Sequence, residues 1–440
     1  MNTLNSKILR IAWPAVVANI SVPLLGLVDA ALLGHLSDPS HLAGVAIGTA
    51  ALSFFYWGFS FLRMGTTGEV ARTLGAGNLQ DALDSLCRSG VVAGVIALFL
   101  LVFAHPLAQL GVLLMNPEET SGLLAQRYME IRFLSAPAVL TTYVIVGWFI
   151  GSQNTRWPLV VLLTTNLLNI VLDAHFILDR GMASEGAALA TVIAEYVGLA
   201  VAILGLGGEK LRLLAQRLGS NIRGANPYLR LLKANAEIMV RTLALLFAFA
   251  FFTAAGERLG TTVVAANAVM IQLLLFASFA LDGFAYAAEG LAGQALGARR
   301  LQDFYEVTRQ CGLWVGGSGF LISMIILFGY SSLFPLLSDI SSVREVFDAQ
   351  RVWLILLPLV AAPSYLLDGI FIGAGATRPM MICMLVSVLL VFLPCWFLTQ
   401  DWGNHGLWLS FTVFNAMRGL TMGLAFWRIS YQNRWIPSSL

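Results

Sequence analysis

The sequence predicts an all-α membrane protein with twelve transmembrane helices, arranged as two pseudo-symmetric lobes of six helices each. Three observations predict this fold. Of the 440 residues, 58% are hydrophobic and 11% are charged, whereas a soluble domain carries about 25% charged residues. Apolar runs of transmembrane length recur from one end of the chain to the other. One segment of the first half also returns in the second half at a fixed spacing.

The repeated segment reads GWFIGSQNTRWP from Gly147 and GIFIGAGATRP from Gly369, which is an offset of 222 residues. The same offset relates further identical positions: Gly68 and Gly290, Gly75 and Gly297, Thr155 and Thr377, Arg156 and Arg378. The chain therefore consists of two homologous halves in the same order. Because many transporters are built from duplicated sets of membrane helices, this repeat indicates a transporter.

Twelve apolar segments fit the length of about 20 residues that a transmembrane helix requires. They lie near 11–34, 42–64, 90–112, 130–151, 158–178, 186–206, 236–256, 262–286, 312–330, 352–373, 381–399 and 405–427. The most polar stretch of the chain separates the sixth segment from the seventh. We therefore predict a first lobe over 1–206, a cytoplasmic linker over 207–233 and a second lobe over 234–440.

Positively charged residues are unequally distributed between the two predicted faces of the membrane. One face holds 17 Lys and Arg residues, six of them in the linker, and the other holds 6. Because cytoplasmic loops retain positive charge, both termini are predicted to lie in the cytoplasm. An even number of helices in each half relates the lobes by an axis along the membrane normal, with the substrate path between them.

Asp29 lies deep in the first apolar segment, within the run PLLGLVDAALLGHL. An ionisable side chain inside a membrane span is costly and usually serves a function. A carboxyl group buried in a low dielectric can exchange a proton near physiological pH. Pro14 and Pro23 precede it, and each removes a backbone hydrogen bond and permits a bend. We interpret this segment as a bendable helix that carries a protonatable group.

A second polar group lies in the fifth apolar segment, within NLLNIVLDAHF. Asn166, Asn169 and Asp173 are spaced by three and four residues, which places them on one face of a helix. Thr191, in the sixth segment, offers a hydroxyl group to the same region. Amides beside a carboxyl group can bond its charged or neutral form and can also bind a cation. The alternative interpretation is a hydrogen-bond network that only packs helices together.

The second half carries its own acidic candidates. Asp368 lies in the tenth segment, and its repeat partner is a valine, so the duplication does not explain it. Asp282 and Glu289 lie seven residues apart on one face of the eighth segment, where they can line a cavity of the second lobe. Glu237 and Arg241 are four residues apart, a spacing that predicts an ion pair within one helix.

Several classes of protein are excluded by what the sequence lacks. It contains no P-loop and no Ser/His/Asp or HExxH pattern, so neither ATP hydrolysis nor another enzymatic activity is expected. Its four cysteines have no ligand spacing, so we expect no metal and no cofactor. The net charge of +2 is too small to suggest nucleic-acid binding. The energy for transport should therefore come from an ion gradient.

Seven sequence segments in order carry a resemblance to a known family. They are PLLGLVDAALLGHL around Asp29, LGAGN at 74–78, NIVLD at 169–173, GAALATVIAEY at 186–196, LDGFAYAAEG at 281–290, LGARR at 296–300 and LDGIFIGAGATRP at 367–379. The chain thereby resembles the multidrug and toxic compound extrusion (MATE) family, and within it the branch of DNA-damage-inducible protein F.

The resemblance implies a V-shaped antiporter of a bacterial-type inner membrane that exports drugs or other amphipathic, often cationic, compounds in exchange for protons or sodium. We expect it to be a monomer. The cation or proton site of the family maps onto Asp29, Asn169, Asp173 and Thr191, and the family's first-helix proline matches Pro14. Sodium-coupled relatives carry an acidic residue that matches Asp368, but their glutamate on the seventh helix has no clear counterpart. This difference favours protons.

Three alternatives remain open at this point. One is a sodium-coupled antiporter of the same family. Another is a lipid-linked sugar flippase, which would need a wide cationic cavity for which Arg63, Arg241 and Arg418 are the candidates. The third is a membrane-embedded enzyme, for which no metal or nucleophile pattern is present.

Overall fold

The computed structural model describes residues 3–34, 38–217, 225–333 and 340–436, which fold almost entirely into helices. The helices of the first half are α1 (Thr3–Gly34), α2 (Pro39–Gly58), α3 (Phe61–Gly75), α4 (Leu79–Val102), α5 (Ala104–Met115), α6 (Glu119–Phe133), α7 (Ala136–Gly151), α8 (Arg156–Asp173) and α9 (Ala183–Leu206). Those that follow are α10 (Gly208–Arg217), α11 (Ala225–Glu257), α12 (Thr261–Gly297), α13 (Leu301–Leu333), α14 (Ser341–Ala374), α15 (Thr377–Val386), α16 (Leu393–Thr399) and α17 (Asn404–Tyr431).

Within those ranges, nine helical spans are long and apolar enough to cross a membrane, or ten if the bent pair α6–α7 counts as one span. The internal repeat adds two more. An offset of 222 residues maps the ends of α1 onto 225 and 256, and α11 runs over Ala225–Glu257. The same offset maps α9 onto 405–428, and α17 runs over Asn404–Tyr431. With α1 and α17 included, the predicted all-α membrane fold with twelve spans is confirmed.

The two halves share backbone turns as well as helix ends. Residues with positive φ occur in pairs at the same offset: Gly77 (75°) with Arg299 (58°), Gln153 (61°) with Gly375 (70°), and Gly181 (66°) with Gly403 (58°). The hydrogen bond from the Asn154 amide to the Phe149 carbonyl likewise matches that from Ala376 to Phe371, at 2.8 and 2.9 Å. The repeat detected in the sequence is therefore a repeat of structure.

The closest helix approaches are also duplicated. A Cβ atom added at Gly147 would lie 2.6 Å from the carbonyl oxygen of Arg63, and one added at Gly369 would lie 2.5 Å from that of Ala285. One turn later, Gly151 meets the Thr67 carbonyl and Gly373 meets the Glu289 carbonyl in the same manner. These contacts cross α7 over α3 and α14 over α12. Glycine is required at all four positions because a side chain would collide with the main chain of the neighbouring helix.

The halves differ where helices break. In the first half, α6 and α7 are bent by 55° at Leu134 and Ser135, and Pro137 opens α7. In the second half, the corresponding α14 is continuous although it contains Pro358 and Pro363. The repeat partner of Pro137 is a leucine, but Pro358 stands one residue before it, so a proline alone does not decide whether the helix breaks.

The described residues form two compact units. One comprises Met1–Val16, Gly75–Gly77 and Ala236–Leu440, and the other comprises Val17–Leu74 and Asn78–Asn235. The passage from the first unit to the second thus falls inside α1, between Pro14 and Pro23. These two units are defined by the contacts within each of them. The lobe boundaries at 206 and 233 stay a prediction.

The core of the unit that contains the second half is aromatic. Phe252, Phe392, Phe411, Phe414 and Trp408 pack edge to face or tilted, with ring centroids 4.8–6.3 Å apart. The Trp408 indole donates a hydrogen bond of 2.8 Å to a buried asparagine of α12, which also exchanges two amide hydrogen bonds with α17. Polar contacts of this kind join helices where no water is present.

We expect Gly373→Ala to destabilise the protein, because the new methyl group would collide with the Glu289 carbonyl on α12. Overpacking of this type costs about 1–3 kcal/mol. Thermal unfolding in detergent should show a midpoint lowered by several degrees. The matched control is Gly316→Ala on α13, where a Cβ meets nothing within 4 Å; it should leave the midpoint unchanged or raise it slightly. Equal midpoints for the two variants would contradict the crossing geometry.

Candidate functional site

The structure brings Asn169 and Thr191 into contact between α8 and α9. The Asn169 amide nitrogen donates a hydrogen bond of 3.1 Å to the Thr191 hydroxyl, and that hydroxyl donates one of 2.8 Å to the Ala187 carbonyl. Asn169 is completely buried, and its amide oxygen has no hydrogen-bond partner among the described residues. An amide oxygen of this kind can accept a hydrogen bond or coordinate a cation.

Asp173 lies one turn beyond Asn169 on the same face of α8 and is also completely buried. It is the last α-helical residue before a π-helical turn over Ala174–Asp179. Such turns widen the helix and occur frequently at functional sites. The sequence prediction placed the two side chains on one helix face, and the helix that contains them has this geometry.

Asn166 connects this face of α8 to α1. Its amide nitrogen donates hydrogen bonds of 3.4 and 3.3 Å to the carbonyl and hydroxyl oxygens of Ser21. The Ser21 hydroxyl in turn donates 2.7 Å to the Ala18 carbonyl. Asn166 therefore holds α8 against the part of α1 that precedes Asp29 by about two turns.

The remaining residues predicted for the first half lie in α1. Pro14 is buried within the helix. The side chains of Asp29 and Pro23 lie outside the described residues, although the helical backbone runs through both positions.

Asp368 lies in a buried cluster of charges in the second half. Its Oδ2 accepts a hydrogen bond from Arg241 Nη2 on α11 and another of 2.9 Å from Arg418 Nη2 on α17. The Arg241, Arg418 and Asp368 side chains are 7%, 4% and 10% exposed. We call these three residues the arginine cluster. Two positive charges and one negative charge thus share one site inside the helix bundle.

The predicted ion pair between Glu237 and Arg241 is wrong. Arg241 pairs with Asp368, which is 127 residues away. Glu237 instead accepts a hydrogen bond from the Thr377 hydroxyl at the start of α15. The helical spacing of four brought two opposite charges to one helix surface, but partners on other helices were closer.

The other acidic candidates of the second half occupy different environments on α12. Glu289 is 2% exposed and lies where the main chain of α14 crosses at Gly373. Asp282 is partly exposed and interacts electrostatically with the Tyr365 hydroxyl, which donates a hydrogen bond to Ser278. Both residues lie on the continuous helix α12, in which a spacing of seven residues is about two turns and keeps them on one face.

The sequence analysis missed an ion pair in the first half. Arg132 Nη1 and Nη2 donate hydrogen bonds of 2.8 and 3.1 Å to the two carboxylate oxygens of Glu195. Arg132 Nη1 also donates to Ser135 Oγ at 3.2 Å, at the bend between α6 and α7. The available signal was that Glu195 lies inside an apolar segment, where an acidic side chain is costly unless it has a partner.

The repeat preserves the helix crossings but not the polar chemistry. The repeat partners of Asn169, Asp173 and Thr191 are Val391, Cys395 and Val413. Those of Arg241, Asp368 and Arg418 are Asn19, Val146 and Tyr196. Each half therefore carries a polar site that the other half has replaced by uncharged residues.

Comparison with known proteins agrees with the fold. The MatE family model matches residues 14–175 and 238–397, covering both halves. The chain is 40% identical to DNA damage-inducible protein F of Escherichia coli (strain K12), over 96% of this chain and 92% of that protein. It is 24% identical to the probable multidrug resistance protein NorM of Thermotoga maritima, over 92% and 87%. The fold is similar to the crystal structure of the Vibrio cholerae MATE transporter VcmN in the bent form, with a TM-score of 0.85, 22% identity and 99% coverage of each chain.

We expect Glu195→Gln to destabilise the protein by about 3 kcal/mol, because it leaves the mostly buried Arg132 guanidinium without a charged partner. Unfolding in detergent measures this loss. The matched control is Glu185→Gln, which breaks an ion pair between the same two helices, α6 and α9, with side chains 60% and 47% exposed. It should cost less than about 1 kcal/mol. A double change of Arg132 and Glu195 to Gln should recover part of the loss, and a fully additive double change would show that the pair is not coupled.

Proposed function

We propose that this chain, which belongs to the MatE family of multidrug and toxic compound extrusion transporters, exports amphipathic compounds, cationic ones among them, in exchange for protons. The names of relatives support export of drugs: the Thermotoga maritima relative is described as a probable multidrug resistance protein. The observation that carries coupling to a cation is the buried group of Asn169, Asp173 and Thr191, joined to α1 through Asn166 and Ser21. We expect the chain to move its substrate without chemical change.

The proposed cycle depends on the charge of Asp29. In an outward-facing state, substrate and proton compete for a cavity of the first lobe. Protonation neutralises Asp29 and breaks its hydrogen bonds to the group formed by Asn169 and Asp173. The first helix then bends near Pro14 or Pro23, where a backbone hydrogen bond is missing, and the substrate is expelled. Support for this step comes from Asn166, whose hydrogen bonds to Ser21 attach the polar face of α8 to the same helix.

The available gradient is large enough for this exchange. A difference of one pH unit supplies about 1.4 kcal/mol per proton, and the membrane potential adds about 2.3 kcal/mol per charge for each 100 mV. One proton therefore supports a substrate gradient of tenfold or more, since about 1.4 kcal/mol corresponds to a factor of ten.

The structure of the second half supports protons over sodium. A sodium ion at Asp368 would have to compete with two arginines that already bond its Oδ2 atom. Glu237 lies on α11 four residues before Arg241, but it accepts a hydrogen bond from Thr377 and does not bond the cluster. Among the described residues, the oxygen atoms of Asn169, Asp173 and Thr191 offer another place for sodium, so a sodium-coupled antiporter is the second candidate.

We place the protein in a bacterial-type inner membrane as a monomer with both termini in the cytoplasm. The excess of Lys and Arg on one face supports this orientation. The linker helix α10 adds to it, since Arg217 forms an ion pair of 2.6 Å with Asp84 near the start of α4. Basic residues of the linker are thereby held at the end of the first-half helices that carries the other positive charges.

Asp29→Asn should abolish proton-driven export while the protein stays folded, because the amide cannot change its charge. Accumulation of a fluorescent cationic dye in inverted membrane vesicles measures this, with circular dichroism and thermal unfolding as the test of folding. The matched control is Asp38→Asn. Asp38 lies beyond the end of α1 and caps the start of α2. Asp38 accepts a hydrogen bond of 2.9 Å from the Ser40 amide, and this bond lowers the pKa of its carboxyl group. Asparagine also caps helices well, so the control should transport normally. Wild-type export by Asp29→Asn would refute the assigned role.

Reconstituted liposomes distinguish the two coupling ions. With an imposed pH gradient and no sodium, we expect uptake of the cationic dye that collapses on addition of a protonophore. With an imposed sodium gradient at equal pH, we expect no uptake above the Asp29→Asn background. The reverse pattern would reassign the site of Asn169, Asp173 and Thr191 to sodium.

A further inference from the structure

We propose that the arginine cluster binds the acidic group of an amphipathic substrate: a carboxylate, sulfonate or phosphate. The inference deepens the proposed function, on which it rests, by naming a chemical class of compound for the second half. The cluster has an excess of positive charge. Arginine keeps its proton in proteins, so Arg241 and Arg418 bring two positive charges to one carboxylate. The three side chains are at least nine-tenths buried, where an uncompensated charge is unfavourable.

The hydrogen-bond pattern shows which donors and acceptors are left over. Both arginines bond the same carboxylate oxygen, Oδ2 of Asp368. The Oδ1 atom of Asp368 and the Nε atoms of both arginines are buried without a partner among the described residues. Arginine normally uses its planar fork to bond two oxygens of one acid. Two forks that converge on one oxygen therefore retain donors that suit the oxygens of a second acid.

Neighbouring residues hold Arg418 in position. Its Nη1 donates 3.1 Å to the Asn415 side-chain oxygen, while the Asn415 amide nitrogen donates 2.9 Å to the Phe411 carbonyl. The guanidinium carbon lies 5.6 Å from the ring centre of Phe414, within the range of a cation–π contact. A preorganised guanidinium loses little conformational entropy when it binds an acid. The aromatic ring beside it offers a surface for the apolar body of the same ligand.

The first half shows that the fold does not require this cluster. At the repeat positions stand Asn19, Val146 and Tyr196, which carry no charge at neutral pH. The helix crossing next to Val146 is nevertheless the same, because Gly147 meets the Arg63 carbonyl just as Gly369 meets the Ala285 carbonyl. Since the same helix crossing forms without charges at these three positions, the crossing alone does not explain why the second half buries three charges there.

A matched pair of probes tests the proposal. Pyrenebutyrate and pyrenebutyltrimethylammonium share an aromatic body and differ in the sign of their charge. Binding of each to the purified full-length protein is measured by fluorescence anisotropy without any ion gradient. We expect Arg418→Gln and Arg241→Gln each to weaken pyrenebutyrate binding at least tenfold and to leave the ammonium probe within twofold. The control Arg309→Gln, on the exposed surface of α13, should change neither.

Asp368→Asn distinguishes a binding role from a purely structural role of the cluster. Removal of the single negative charge should tighten pyrenebutyrate binding severalfold, opposite in sign to the arginine variants. Arg418→Lys, which keeps the charge and loses the planar fork, serves if a glutamine variant fails to fold, and it should weaken binding by an intermediate factor. Loss of affinity in all variants alike, for both probes, or pyrenebutyrate binding that is indifferent to the arginines, would overturn the proposal.

The acidic group could belong to a transported compound or to a lipid headgroup, and liposomes distinguish them. In phosphatidylcholine liposomes under a pH gradient, transport of pyrenebutyrate that is lost in Arg418→Gln supports a substrate site. Competition by added phosphatidylglycerol without transport of pyrenebutyrate would overturn the substrate assignment. Failure of the wild type to transport the ammonium probe under any gradient would contradict the proposed antiport, while the equilibrium binding result would still stand.

Discussion

The contact on which the architecture depends is the close approach of two helix backbones at a pair of glycines. On α14, Gly369 and Gly373 lie against main-chain carbonyls of α12, and α7 approaches α3 in the same manner. In a bilayer, helices gain little from hydrophobic burial, so close packing has to supply much of their attraction. The crossing also fixes what lies beside it. Asp368 immediately precedes Gly369, and its position among three helices follows from the contact made by its neighbour.

Around this shared frame the two halves have specialised in opposite directions. The first half places buried amides, a hydroxyl and a carboxyl group on α8 and α9. The second half places two guanidinium groups and one carboxylate at the junction of α11, α14 and α17. One site is rich in acceptors and the other is rich in donors. The duplicated fold thus contains two buried polar sites of different electrostatic character.

The sequence was sufficient to predict the helix crossings that follow from the repeat and the residues that share a helix face. The offset between Gly147 and Gly369 anticipated the matching crossings, and the three- and four-residue spacings around Asn169 anticipated the polar face of α8. Contacts between distant segments were not accessible in this way. Arg241 has an acid four residues before it, yet it bonds Asp368, and Arg132 bonds Glu195 across 63 residues. Choosing among such partners requires the positions of several helices at once.

The paired turns of the two halves keep the same backbone conformation although their residues differ. A left-handed backbone costs a residue with a side chain roughly 1–2 kcal/mol, yet each half contains one such turn where glycine has been exchanged. Gln153 stands where the second half has Gly375, and Arg299 stands where the first half has Gly77. The left-handed conformation is therefore kept at these positions even where the residue is not glycine. In this duplicated chain, the backbone torsion angles of the turns are therefore more similar between the halves than the amino acids that adopt them.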